Sequence, residues 1–377
     1  MMPALESVIR PGEGILVGQA CAEPQSLLEA LVERRDALKG CRLFLGIHYS
    51  GILRPEHADC LRFTAYCGIG KNRALADAGV LDILPVPYSM LGPLIRSGKI
   101  AADVVLLQVS PPNAHGEYSL GLAADYLVPA LQTCRAIVAE VNDQVPWTHS
   151  ERLLKKEDFA LLVESSRAPA QPSYRPPGGI ERAIALHAAS CIPERPTLEF
   201  GIGVLPDAVC ALLGDRKSPR VHSGTVGDGI IALDAEVDCA MLIGGASLFE
   251  HARENPRVRL RSSEYTHDAR VLARIDRFCA INSAVEVDLT GQINGEVAQG
   301  SYVGAVGGAL DFVRAANQSP GGVSLTLLPA ARIVERLSGP VATPRSEAGI
   351  VVTEHGAADL RGCSLRERER RLLKVKG

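Results

Sequence analysis

Apolar and polar residues alternate from Val285 to Ile293, with Val285, Val287 and Leu289 set against Glu286, Asp288 and Thr290. A period of two predicts a strand with one face on a core. The pattern then breaks into Gly304, Gly307 and Gly308 just before Asp311 and Phe312. Glycines this close predict a tight turn whose bare N–H groups can approach a ligand. Other runs read differently. Val80–Val86, Val104–Val109 and Ala136–Val141 are short, β-branched and almost wholly apolar, bounded by Pro, Gly or Ser, the pattern of parallel strands covered on both faces.

Residues 14–51 alternate a short apolar strand, a Gly and Pro turn, an amphipathic helix and a second strand ending at His48. Strand, helix, strand predicts a parallel pair with a helical crossover. Residues 196–229 repeat the plan, with a strand into Gly201 and Gly203, a helix opening near Pro206 and a strand ending at His222; H-S-G at His222–Gly224 echoes H-Y-S-G at His48–Gly51. This reads as an internal duplication. The expected fold is α/β, two similar open halves of mainly parallel sheet with the active site in the cleft between them. The Pro- and Gly-rich stretch Ser165–Gly179 suits a connector, giving an N-terminal domain over 1–164, a linker over 165–179 and a C-terminal domain over 180–377. Beyond it a helix is expected at Ile180–Ala189 and strands at Leu325–Leu328 and Ile350–Thr353, the last delivering Glu354 and His355. Open parallel sheets place ligand chemistry at strand C-termini.

Composition narrows the function. A chain of 377 residues, 46% hydrophobic, can bury a large core. A formal net charge of −3 without a basic run before the last dozen residues gives no footprint for nucleic acid, and the basic tail SLRERERRLLKVKG reads as an exposed helix end. The ten cysteines form no C-x-x-C pair and have no His at ligand spacing, so they read as buried thiols of a reducing compartment, with no metal site. Neither an export signal nor a membrane span is indicated, and a cytoplasmic protein is expected.

Five islands resemble one known family: LLQVSPPNAHGEYSLG at Leu106–Gly121, AEVNDQVP at Ala139–Pro146, GIGVLPDAV at Gly201–Val209, the stretch Ala280–Phe312, and VVTEHGAADLRG at Val351–Gly362. The family is that of acetyl-CoA hydrolases and acyl-CoA:carboxylate CoA-transferases, including 4-hydroxybutyrate CoA-transferase. The resemblance implies ping-pong CoA transfer, in which a glutamate attacks the thioester and backbone N–H groups hold the oxyanion. It places those donors near Ile202 and at Gly308, and CoA against Gly201, Ile202, Gly203, Val204, Leu205, Val285, Gly304 and Gly308. It also implies CoA as cosubstrate with no permanently bound cofactor, an acyl-CoA and a small carboxylic acid as partners, and a homo-oligomer.

The chain departs from the family where the chemistry should be. The family's nucleophilic segment has the form G-I-H-(S/T)-E-x-x-x-D-G, and Arg220–Gly229 reads RVHSGTVGDG, with Gly224 in the glutamate position. Tyr265–Ala269 reads YTHDA where the family has Y-x-N-D-P, so an active-site asparagine becomes His267, and the loop after Leu328 is cut to PAARI. Three readings follow. Glu354 could replace the nucleophile. Alternatively, space opened at Gly224 could hold a water for hydrolysis of a thioester or a carbon–carbon bond, with His267, near its reference pKa of about 6.5, or Glu354 as base. In the third, the protein binds CoA without turnover. His222 and Asp228 read as structural.

Overall fold

The computed structural model describes residues 4–173, 175–216 and 219–377. The chain divides into two compact units, one built from residues up to Pro172 together with Ala240–Glu264, the other from Ser173–Cys239 with Tyr265–Gly377. The first break falls inside the predicted connector. The second unit is nevertheless not the contiguous stretch 180–377, because the chain crosses back for Ala240–Glu264. That crossing happens within a single strand, Glu236–Leu242, which no Pro, Gly or linker-like run marks.

In the first unit seven strands form one sheet: β1 (Gly14–Val17), β2 (Arg42–Leu45), β3 (Arg62–Ala65), β4 (Leu81–Ile83), β5 (Val104–Val109), β6 (Ala136–Asn142) and β7 (Leu161–Ser165). Their order is β7-β6-β5-β1-β2-β3-β4, and every pairing is parallel. β5 is buried at all positions, as an uninterrupted apolar run requires when both faces are covered. The strand expected at Val80–Val86 shortens to β4 at the sheet edge, because Pro85 and Pro87 lack the N–H a ladder needs. Helix α1 (Gln25–Glu33) buries Leu27, Leu28 and Leu31 against Ile15, Val17, Leu43 and Leu45.

The second unit opens with helix α2 (Gly179–Cys191), followed by β8 (Thr197–Phe200), helix α3 (Val204–Ala211) and β9 (Arg220–Val226). Then come β10 (Phe278–Ser283), helix α4 (Ala309–Gln318), β11 (Val323–Leu327), β12 (Ile350–Thr353), β13 (Gly356–Asp359) and helix α5 (Leu365–Lys376). The sheet order is β13-β12-β11-β10-β8-β9, with Glu236–Leu242 beside β9. β8 pairs in parallel with β9 and β10, as do β10 with β11 and β11 with β12, and the β12–β13 hairpin is antiparallel. Each unit therefore repeats one plan: β6-β5-β1-β2-β3 in the first matches β11-β10-β8-β9 and the strand Glu236–Leu242 in the second. The duplication read from sequence holds in topology. It needs one correction, since His222 lies inside β9 rather than at its end.

β9 runs on because it is bulged. Leu198 pairs with Val221 but Phe200 pairs with Thr225, so two steps on β8 face four on β9. Ser223 fills the break, its Oγ accepting from Phe200 N at 3.1 Å and donating to the Thr225 carbonyl at 2.6 Å. The bulge re-aims the residues it carries, Gly224 among them. Above this face α4 packs Phe312 and Ala316 on Phe278 and Ala280 of β10.

The alternation at Val285–Ile293 becomes a short hairpin, Glu286–Asp288 against Ile293–Asn294, turning at Gly291. Val287 and Ile293 do join a core. The polar side does not face solvent: Glu286 is tied to Ser338 and Asn294, and Asp288 to Thr290 and Gln292. Helix α5, expected as an exposed end, docks through Leu372 and Val375 onto the same core.

Candidate active site

β8 ends in the turn Gly201–Ile202–Gly203. Gly201 continues the ladder, donating its N–H to the Ile281 carbonyl at 2.8 Å. A side chain there would meet Asn282 Oδ1 at 2.7 Å. Gly203 has φ 125° and precedes α3, a conformation that favours glycine. Ile202 is 36% exposed, and Val204 and Leu205 are half-buried in the first turn of α3. Among the described residues no protein acceptor takes the N–H of Ile202 or of Gly308. Both donors are thus available for a ligand oxygen.

The second glycine turn is more committed than its sequence implies. Gly304 donates its N–H to the Glu296 carbonyl at 2.9 Å, and a side chain there would collide with the Gly295 carbonyl oxygen. Its glycine is required by close backbone approach, and its N–H is already used. Val285 is similarly occupied, donating to the Asn294 carbonyl at 2.9 Å.

Gly224, His267, Gly308 and Phe312 come together. A methyl group on Gly224 would lie 3.0 Å from both Cε1 and Nε2 of His267 and 3.4 Å from Phe312. One on Gly308 would overlap His267 Nε2. The imidazole therefore fills the slot between the two glycines, with its ring centroid 4.5 Å from that of Phe312. It is 3% exposed, and Nδ1 lies 2.9 Å from Thr266 Oγ1. Two expectations are corrected here. The space at Gly224 is occupied by a ring rather than open for a water. And His267 is not poised near neutrality: burial, reinforced by the neighbouring His222, lowers its pKa to about 3. A base that weak is neutral at physiological pH and has almost no drive to take a proton.

His222, one strand-bulge away, has Nε2 2.9 Å from the Thr266 carbonyl and packs its ring near Tyr265 and Phe278. Glu354 stands apart. Its Oε2 accepts from Ala330 N at 2.8 Å, fastening the short turn Ala330–Arg332. It follows β12, four positions from β9 in the sheet, which at about 4.8 Å per strand is roughly 19 Å along the edge.

Sequence reading missed Glu199. It sits in the middle of β8 and is 2% exposed. Its Oε2 accepts from Asn282 Nδ2 at 2.8 Å and Ile281 N at 3.2 Å. Burial pushes its carboxyl up to about 8 against the pull of those two bonds. The one available signal was an acidic residue inside a four-residue strand of a parallel sheet, where both faces should be apolar.

Among the described residues no group of three or more His, Cys, Asp or Glu is placed to hold a metal ion, and no helix is long and apolar enough to cross a membrane. Residues 4–160 match the acetyl-CoA hydrolase/transferase N-terminal domain, and residues 244–376 match the C-terminal domain of the same family. The 4-hydroxybutyrate coenzyme A transferase of Clostridium kluyveri is 31% identical over 96% of this chain and 90% of its own. An acetyl-CoA hydrolase of Saccharomyces cerevisiae is 28% identical over 58% of this chain and 46% of its own. The crystal structure of RipA from Yersinia pestis superposes with a TM-score of 0.91 at 27% identity, covering 98% of this chain and 91% of that one. With both domains of the family matched and near full-length similarity to a CoA-transferase, the chain belongs to the acetyl-CoA hydrolase/transferase family, whose members are enzymes of CoA thioesters.

Proposed function

We propose that this enzyme moves CoA from an acyl-CoA to a second carboxylic acid within one ternary complex, without a glutamyl intermediate at position 224. The observation that carries this is the His267 ring seated between Gly224 and Gly308. It leaves neither a nucleophile nor room for one. The relative matched over nearly the full chain is a CoA-transferase, whereas the hydrolase match spans 58% of it, which favours transfer over hydrolysis.

In this reading CoA lies along Gly201–Leu205 and past Val285 and Gly304, with the thioester oxygen at the N–H groups of Ile202 and Gly308. Gly308 is the N-cap of the ten-residue helix α4, whose positive end adds to the stabilisation of an oxyanion. The second carboxylate attacks the thioester carbon and the C–S bond breaks, giving a mixed anhydride and CoA thiolate. The thiolate then attacks the other carbonyl, releasing the first acid. CoA is a cosubstrate, and no permanently bound cofactor is needed. We infer further that the enzyme works in the cytoplasm as a homo-oligomer; its ten free cysteines, seven of them buried, suit a reducing compartment.

Initial rates with acyl-CoA and acetate varied together test this. Intersecting reciprocal plots are expected. Parallel plots with an enzyme–CoA thioester trapped by hydroxylamine, or thiol release indifferent to added carboxylate, would overturn it.

A further inference from the structure

Glu199 lies on the same face of the second unit's sheet as the candidate site. It pairs in register with Ala280, and residues in register on parallel strands point the same way. Ala280 and Phe278 meet Phe312 of α4, and a side chain on Gly224 would point at that same Phe312. Two residues beyond Glu199 is Gly201, about 6.6 Å along the strand and next to the Ile202 donor. A glutamate side chain spans most of that distance.

The carboxyl is only half used. Both protein donors that reach it go to Oε2. Among the described residues no protein donor reaches Oε1, and the residue is 2% exposed. A carboxyl oxygen that no protein donor reaches is left for a group from outside the chain. The chemistry proposed above generates such a partner transiently, a thiolate sulfur that must be held between two attacks.

We propose that Glu199 is a further catalytic residue of this reaction, the acid whose Oε1–H protonates the departing CoA sulfur and takes that proton back when the sulfur attacks the second carbonyl. This rests on the transfer reading. As the C–S bond breaks, the electron pair stays on sulfur and the proton passes from Oε1 to it. On return the thiol loses that proton to the Glu199 carboxylate as the new C–S bond forms, so no proton is gained or lost overall. The upward shift of the Glu199 carboxyl supplies the protonated form at neutral pH, and burial alone raises it, with no charged neighbour contributing. The buried titratable side chain of β9 is His222, and His267 sits against Phe312 of α4. The buried residues of α4, Phe312, Val313 and Ala316, carry none.

Glu199→Gln keeps shape and an acceptor for Asn282 but cannot deliver a proton. Its kcat should fall about 100-fold, with CoA affinity by calorimetry and thermal midpoint at pH 6 unchanged. Wild-type kcat should decline as pH rises through about 8, and the variant's residual rate should be flat there. Equal turnover in the variant, or the same alkaline decline, would overturn the assignment. A Glu199→Asp variant that regains part of the rate and the pH limb would confirm that the carboxyl, not packing, is at work. Wild-type enzyme with no carboxylate-dependent turnover would defeat the transfer reading instead, which keeps the two failures distinct.

Discussion

The two units share a strand order but treat the end of their first strand in opposite ways. In the first unit the turn after β1 carries Gln19, whose amide is saturated: Nε2 donates to Tyr88 OH at 2.7 Å and Asp125 Oδ2 at 2.6 Å, while Oε1 accepts from Tyr66 OH at 2.9 Å and Ile47 N at 2.8 Å. Tyr126 closes the cluster by donating to the Val17 carbonyl at 2.8 Å. In the second unit the matching turn is Gly201–Ile202–Gly203, in which the Ile202 N–H has no protein acceptor among the described residues and the acid beside it holds an oxygen that no protein donor reaches. The scaffold is common to both. What separates a sealed strand end from a reactive one is whether side chains consume the polar capacity gathered there.

That contrast can be broken most severely at the slot. Gly224→Glu alone should destabilise by on the order of 4 kcal/mol, through overlap with His267 and burial of an unpaired carboxylate, seen as a thermal midpoint lower by about 10 °C. It should gain no transfer activity. Adding His267→Asn should recover most of that loss, and a double variant no more stable than the single would show that the two positions are not coupled. Gln19→Leu in the sealed cluster comes next, at about 3 kcal/mol, because Tyr66, Tyr88, Asp125 and the Ile47 N–H lose partners together. Turnover per folded molecule should be unchanged, measured by denaturant titration beside an activity assay.

Smaller effects follow from titration. Burial raises the Asp125 carboxyl from 3.8 to about 6. A raised pKa means the folded state binds the proton more tightly than the unfolded chain. The stability it contributes is full below 3.8 and is lost as pH climbs through about 6. Asp125→Asn should flatten the slope of stability against pH in that window, and an unaltered slope would count against a protonated Asp125. Smallest of all is His267, whose imidazole proton resonances should stay fixed from pH 5 to 8, as its pKa of about 3 requires.

Much of the fold was legible in residues whose meaning is local. Val104–Val109 and Ile350–Thr353 appear as strands at the positions their apolar runs mark. The H-S-G echo located the repeated unit because both copies keep the same strand, turn and helix grammar. The candidate site was legible as glycines, and Gly203 and Gly304 answer to backbone geometry a short segment can encode, whereas Gly201 and Gly308 answer to the distant Asn282 and His267. Its chemistry was not. Whether Gly224 left a hole depended on a ring 43 residues further along the chain, and the state of Glu199 on a neighbouring strand that buries it. Glu286 and Asp288 misled for the same reason, being polar yet enclosed by Ser338, Asn294 and the turn at Gly291. Domain boundaries failed where the chain re-entered its first unit without a linker.

The His267 ring, wedged between two glycines, also constrains which changes this chain can accept. Introducing a side chain at residue 224 is blocked while the ring is present, and removing the ring first leaves an unfilled void against Phe312. Each single change is worse than the present state, so the pair works as a ratchet. Descendants of this chain can vary residues around the wedge far more readily than they can pass through it.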